Sequence, residues 1–168
     1  MKEKLKLSDF PEEKEYPFGE EIINDVMDNF LCVPKDSKLK GVSVVKCDKD
    51  KLMKTETYII KDRQEYRKFY ENAVNMAFGL SNTAMRVLLY VMFTLQQKSD
   101  SVDIVPKHCM DKCGFKTLKS VRDGIIELLG KHIIAKTNYP TKYWVNPVVL
   151  FNGDRIDFVR SYIYGGDK

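Results

Sequence analysis

Apolar side chains recur at three- and four-residue spacing through Thr117 to Lys131, where Leu118, Val121, Ile125 and Leu128 fall on one face of a helix and Ile126 and Leu129 broaden the stripe. The opposite face carries Lys116, Lys119, Ser120, Asp123 and Glu127, basic and hydroxylated in its first turn and acidic further on. Before this helix, Pro106 to Cys113 opens on a proline suited to a first helical position, and Gly114 supplies a left-handed stop. After it, Ile133 to Thr137 and Tyr143 to Val145 are β-prone runs around the turn-forming Asn138 to Lys142. Ser81 caps a further helix, Asn82 to Gln97, with Met85, Leu88, Leu89, Met92 and Leu95 inward, and Val102 to Val105 is short and alternating, a strand.

The same pattern predicts elements on either side. Met1 to Phe18, charged and interrupted by Pro11 and Pro17, reads as a loosely attached arm. Glu20 to Phe30 is an amphipathic helix with Ile22, Ile23, Val26, Met27 and Phe30 on its stripe, acidic in its first turn as the helix dipole favours. Pro34 to Gly41 is a polar loop, and Val42 to Cys47 and Thr55 to Ile60 are strands that can pair as a hairpin about Asp48 to Lys51. Asp62 with Glu65 makes a capping box for a helix to Ala77, whose aromatics read as core. Val148 to Phe151 is an apolar run closed by Asn152-Gly153, after which Asp154 caps a last helix to Tyr162.

Helix, strand, helix, Gly-centred turn, helix, β-hairpin is the order of a winged helix-turn-helix, so the expected class is α+β: a winged helix-turn-helix domain with an N-terminal helix and β-hairpin extension. The boundary falls at residue 54, with 1–54 as arm and helix, a dimerisation or docking element, and 55–168 as the winged domain. The apolar stripe of Glu20 to Phe30 then covers either that domain or a second copy, and a homodimer is favoured because two modules read two half-sites.

Charge sharpens this. The chain carries a net +4, yet the stretch from Pro106 to Lys142 alone sums to +5, leaving −1 on all the rest. A basic segment on a near-neutral body suits a phosphate-backbone partner, although a solvated surface can look the same. Lys116, Thr117, Lys119, Ser120 and Arg122 are the candidate DNA contacts of the helix, with lysines and Arg122 on phosphates or guanine edges and hydroxyls in support; Lys136 and Lys142 are candidates in the wing. The competing reading of each is structural: Thr117 as a cap, the lysines as solvation.

Other chemistry is missing. His108 and His132 are the two histidines and stand far apart, so the metal-binding histidine pair of a rolling-circle nickase is absent. Gly124 to Lys131 has a phosphate loop's outline but the wrong spacing, and lies inside an apolar-striped helix. No catalytic set stands out, and no enzyme is expected. Cys32, Cys47, Cys109 and Cys113 lack secreted-framework spacing and read as reduced thiols; Cys109 and Cys113, one turn apart, lack a second chelating pair, so neither metal nor cofactor is expected. No apolar run is long enough to span a membrane and the polar Met1 to Pro11 stretch has no apolar signal-peptide region, so the expected location is the cytoplasm, with no membrane partner.

Leu80-Ser81, the Gly114 to Val121 turn, Ile133-Ile134, Tyr143-Trp144-Val145-Asn146-Pro147 and Phe151-Asn152-Gly153-Asp154-Arg155 together resemble the RepL-type plasmid replication and maintenance proteins, over roughly Thr55 to Tyr162. The chain departs from that pattern in the length of the turn between Gly114 and Ser120. The resemblance implies a winged-helix protein of bacterial plasmids or phages that binds double-stranded DNA in replication initiation, with host replication proteins as further partners. Two alternatives stay open: a transcription regulator using the same surface, and a protein-binding or structural module of a replisome, polymerase or phage particle that keeps the fold.

Overall fold

A computed structural model of the chain describes residues 5–35, 45–53, 58–62, 78–152, 155 and 158–160. It is a mixed helix and strand protein with two small antiparallel sheets. The chain divides into two compact units: Met1–Pro17 with Lys68–Gly153, and Phe18–Arg67 with Asp154–Lys168. The boundary expected at residue 54 falls inside the second of these units.

In the first unit the described elements are α3 (Asn82–Thr94), β4 (Ser101–Asp103), α4 (Pro106–Cys113), α5 (Leu118–Gly130), β5 (Ile134–Lys136) and β6 (Lys142–Val145). The sheet order is β4-β6-β5, with Val102 opposite Tyr143 and Ala135 opposite Trp144. Ser81 caps α3 by accepting from the Ala84 amide. Gly114 ends α4 at φ 65°, and the Gly114 and Phe115 amides return to the Asp111 and Met110 carbonyls, the double closure a left-handed residue permits. α5 ends the same way without glycine: His132 takes φ 55°, and His132 and Ile133 donate to Leu129 and Leu128. Among polar residues, buried Asn146 ties the end of α5 to the segment after β6, donating from Nδ2 to the His132 carbonyl and from its amide to the Ile133 carbonyl, and accepting at Oδ1 from the Val148 amide.

The core forms where α3 crosses α5: Ala84, Val87, Leu88 and Val91 meet Val121, Ile125, Leu128 and Leu129, with Ile104, Cys109, Ile134, Tyr143 and Leu150 closing it. Gly124 lies at the crossing. A Cβ built there would come within 2.6 Å of Val87 Cγ2 and 3.2 Å of the Thr83 carbonyl oxygen, so only hydrogen fits. Glu127, which periodicity puts on the outward face, instead receives Ser81 N–H at 2.7 Å and Ser81 Oγ–H at 2.6 Å, tying α5 to the start of α3. Leu89, expected inward, is exposed; Val87 and Val91 take its place.

The arm is docked rather than loose. Glu13 donates its amide to the Lys136 carbonyl, Trp144 Nε1 donates to the Glu13 carbonyl, Tyr16 donates to the Val145 carbonyl, and Tyr16 meets the Trp144 ring edge-on at 5.7 Å. Residues 12 and 13 thereby cover the open edge of β5.

The second unit contains α1 (Gly19–Asn29), β1 (Phe30–Pro34), β2 (Val45–Lys46), α2 (Lys49–Met53) and β3 (Tyr58–Asp62), with sheet order β2-β1-β3. The expected hairpin between the second and third strands does not form. β1, unforeseen because its start reads as the end of a helix and its last residue is proline, pairs with both. Asp48 accepts the Lys51 amide at 2.8 Å and so starts a helix where a turn was expected. The Asp62 to Ala77 helix lies outside the described residues apart from Asp62, which ends β3; Asp154 and the end of the last helix lie outside them too. Ile22 and Val26 of α1 are 0% exposed within one chain, while Ile23 and Met27 of the same stripe are half-buried. Arg155 is buried and donates to Asp25 at 2.7 Å, a structural ion pair.

Gly124→Ala gains about 1 kcal/mol of helix propensity but meets a stiff, buried valine, at a cost of about 1–3 kcal/mol. The expected outcome is a lowered melting temperature in the wild-type background and little or no loss in a Val87→Ala background, where the clash is relieved; thermal denaturation of the four proteins measures both.

Candidate nucleic-acid interface

The first turn of α5 is built by its cap. Thr117 Oγ1 accepts the Ser120 amide at 3.3 Å and shares a hydrogen bond with Ser120 Oγ at 3.1 Å. Thr117 therefore does the capping work its residue type suggests, and Ser120, half-buried, has its hydroxyl partly committed to that cap. Around them Lys116, Lys119 and Arg122 are exposed and have no ion-pair partner among the described residues. Lys119 and Arg122 stand three residues apart on one helical stripe. The geometry brings together five of the seven candidate residues, three free cations and two hydroxyls at one helix start, where the unsatisfied amides of the first turn add partial positive charge.

Lys136 and Lys142 do not join them in the same state. Lys136 Nζ sits 3.4 Å from Glu12 Oε1 and 3.4 Å from the Phe10 carbonyl, and its side chain is largely covered. It fastens the arm. Lys142 is half-buried and stands opposite Asp103 in the strand register, away from the helix start. The hairpin between them is held by buried Thr137, whose hydroxyl donates to the Lys142 carbonyl and accepts from the Tyr139 amide, leaving Tyr139 exposed at the tip.

At this helix start it is Leu118 that periodicity misassigns. It fits the apolar stripe yet is 51% exposed. A helical side chain covers the surface N-terminal to its own Cα, and for the first residue of a helix that surface lies beyond the helix end, where the core does not reach. The signal was in the sequence: Leu118 directly follows a capping threonine. Exposed Lys107 and Lys112 on α4 add positive charge that the candidate set omitted.

The cysteines require one correction. Cys32 in β1 and Cys47 just past β2 form a disulfide, so they are not reduced thiols; the sheet brings together two residues whose spacing gives no framework signal. Cys109 and Cys113 are free, their sulfurs 3.8 Å apart. No group of three or more His, Cys, Asp or Glu side chains that could hold a metal occurs among the described residues. His108 is turned to Tyr90, whose hydroxyl lies 2.8 Å from Nδ1. Burial, reinforced by neighbouring Cys113, pushes the Cys109 thiol up to about 12. Among the described residues no helix is long and apolar enough to cross a membrane.

No protein-family model matches the chain, and no solved structure matches it. A curated protein of Zymomonas mobilis subsp. mobilis, called a 20.9 kDa protein, is 28% identical over 143 residues, covering 78% of this chain and 70% of its own. Its name carries no chemistry.

The cysteine states are directly measurable. Thiol titration of the unfolded chain should find two thiols without reductant and four with it; alkylation of the folded protein near neutral pH should modify Cys113 and spare Cys109, which stays protonated and buried. Mass mapping that finds Cys109 labelled first would contradict this.

Proposed function

We propose that the first unit is a winged helix-turn-helix that binds double-stranded DNA through α5, with no catalytic step of its own, and that the chain serves plasmid or phage replication as the RepL-type resemblance implies. The order α3-β4-α4-α5-β5-β6 and the sheet order β4-β6-β5 support the fold. The observation that carries the function is the free cationic turn: Lys116, Lys119 and Arg122 exposed around a capped helix start. Such a turn presents charge to phosphates and its first side chains to base edges in a major groove. Leu118 enters this reading as an apolar contact, suited to the methyl group of a thymine. A transcription regulator would use the same surface, and the location of the selected site, origin or promoter, separates the two.

With Lys136 engaged by the arm, four side chains remain for phosphates: Lys116, Lys119, Arg122 and Lys142. Log affinity should then fall against log salt with a slope of about −3 to −4. Lys119→Glu should weaken binding to every duplex by about tenfold or more and reduce that slope, while thermal stability changes by less than about 0.5 kcal/mol. Titrations against random and selected duplexes at two salt concentrations measure it; equal affinities for wild type and variant would remove α5 from the interface.

Leu118 has its own assay. Replacing thymines of the selected site one at a time by deoxyuridine removes a single methyl, and at one position wild-type affinity should drop about three- to fourfold, the loss of one buried carbon. Leu118→Ala should show no such drop at that position.

A further inference from the structure

α3 leaves part of its apolar surface in the open. Leu89 and Phe93, one turn apart, are 55% and 78% exposed, although the same helix buries Val87, Leu88, Tyr90 and Val91. With Arg86, Tyr90, Lys112 and Cys113 they wall a groove of about 460 Å³ formed by α3 and α4. A helix face that only meets water favours polar side chains at such positions, whereas large apolar side chains gathered in a concavity are the composition of a binding surface.

Charge decides what fits. Among the described residues the two ionised side chains lining the groove, Arg86 and Lys112, are both cationic, and no carboxylate lines it. Arg86 has its guanidinium carbon 5.7 Å from the centre of the Phe115 ring, a contact that favours the cation's place beside the groove. Lys112 is exposed and has no ion-pair partner among the described residues. A second copy docking face to face would set these cations against their own images. A nucleic-acid backbone would satisfy the cations and leave Leu89 and Phe93 without an apolar partner. A segment that alternates carboxylates with apolar side chains satisfies both sets.

We propose that the α3–α4 groove docks an acidic, amphipathic segment of a protein partner, with an aromatic or aliphatic side chain entering beside Leu89, Tyr90 and Phe93 and carboxylates meeting Arg86 and Lys112. The groove shares no residue of α5 with the proposed DNA surface, and of its liners Lys112 alone also adds charge near that surface, so Phe93→Ser tests the groove separately.

The test uses the full chain and a fluorescein-labelled synthetic peptide that alternates aspartate with leucine and phenylalanine. Two control peptides replace the apolar residues by serine or the aspartates by lysine, and an oligothymidylate serves as a nucleic-acid probe. Fluorescence anisotropy should show saturable binding of the acidic apolar peptide and of neither control peptide. Phe93→Ser and Lys112→Glu should each weaken it about tenfold, with melting temperatures unchanged because both side chains are exposed. Absence of saturable binding by wild type overturns the proposal, as does binding indifferent to both substitutions or equal binding of the serine peptide. Oligothymidylate binding lost in Phe93→Ser would reassign the groove to single-stranded nucleic acid. A wild-type dimer that Phe93→Ser dissociates in sedimentation would assign it to a second copy.

Discussion

The first unit depends on how closely α5 can approach α3. At Gly124 the two helices come so near that a methyl group would overlap Val87, and this contact sets the crossing from which the other elements take their places. Glycine inside a helix costs about 1 kcal/mol against alanine, and the packing it permits outweighs that. Glu127 adds a second fixed point one turn on, where its carboxylate accepts both the amide and the hydroxyl of Ser81. Those bonds satisfy donors at the start of α3 and lock the two helices against sliding along each other. The first turn of α5, left beyond the core by this crossing, is the part free to meet something else.

A second constraint acts at the sheet edge. β5 has only three residues and a neighbour on one side, and its outer edge would present unpaired amides and carbonyls. The arm answers this with a backbone bond from Glu13, the Glu12 to Lys136 ion pair and the packing of Tyr16 against Trp144. The ion pair, exposed on its Glu12 side, contributes little by itself; the backbone bonds and the aromatic contact do more. Lys136 is thus explained by the arm without any nucleic acid, which is why net charge along the sequence overstates the charge available to a ligand.

What was legible in the sequence was local. The Ser81 cap, the α4 start at Pro106, the Gly114 stop, the Thr117 cap and the turn between β5 and β6 each rest on one or two residues whose chemistry acts within a few positions. What was not legible depended on partners far along the chain. Glu127 reads as a surface residue until Ser81 is beside it, the arm as loose until β5 offers an edge, and Cys32 as a free thiol until β2 pairs with β1. β1 itself is hidden because its first residue completes a helical stripe and its last is proline. At the candidate site the five residues at the start of α5 come together because they lie within one short stretch, 116–122, whereas Lys136 and Lys142 depend on tertiary neighbours that periodicity does not report.

Leu118, Leu89 and Phe93 show how one misreading can be informative. All three are apolar at helical positions, and a stripe argument places the first two in the core; the structure exposes all three. Each has a separate physical origin, a helix end outrunning the core for Leu118 and a helix with more apolar positions than one core can cover for the α3 pair. Exposed apolar surface costs free energy unless something covers it in use, and the two places differ in the company they keep. Leu118 stands among unpaired cations and hydroxyls on a convex helix start, a shape that enters a groove. Leu89 and Phe93 stand in the wall of one, a shape that receives a side chain. The opposite curvatures argue for two different ligands rather than one extended surface.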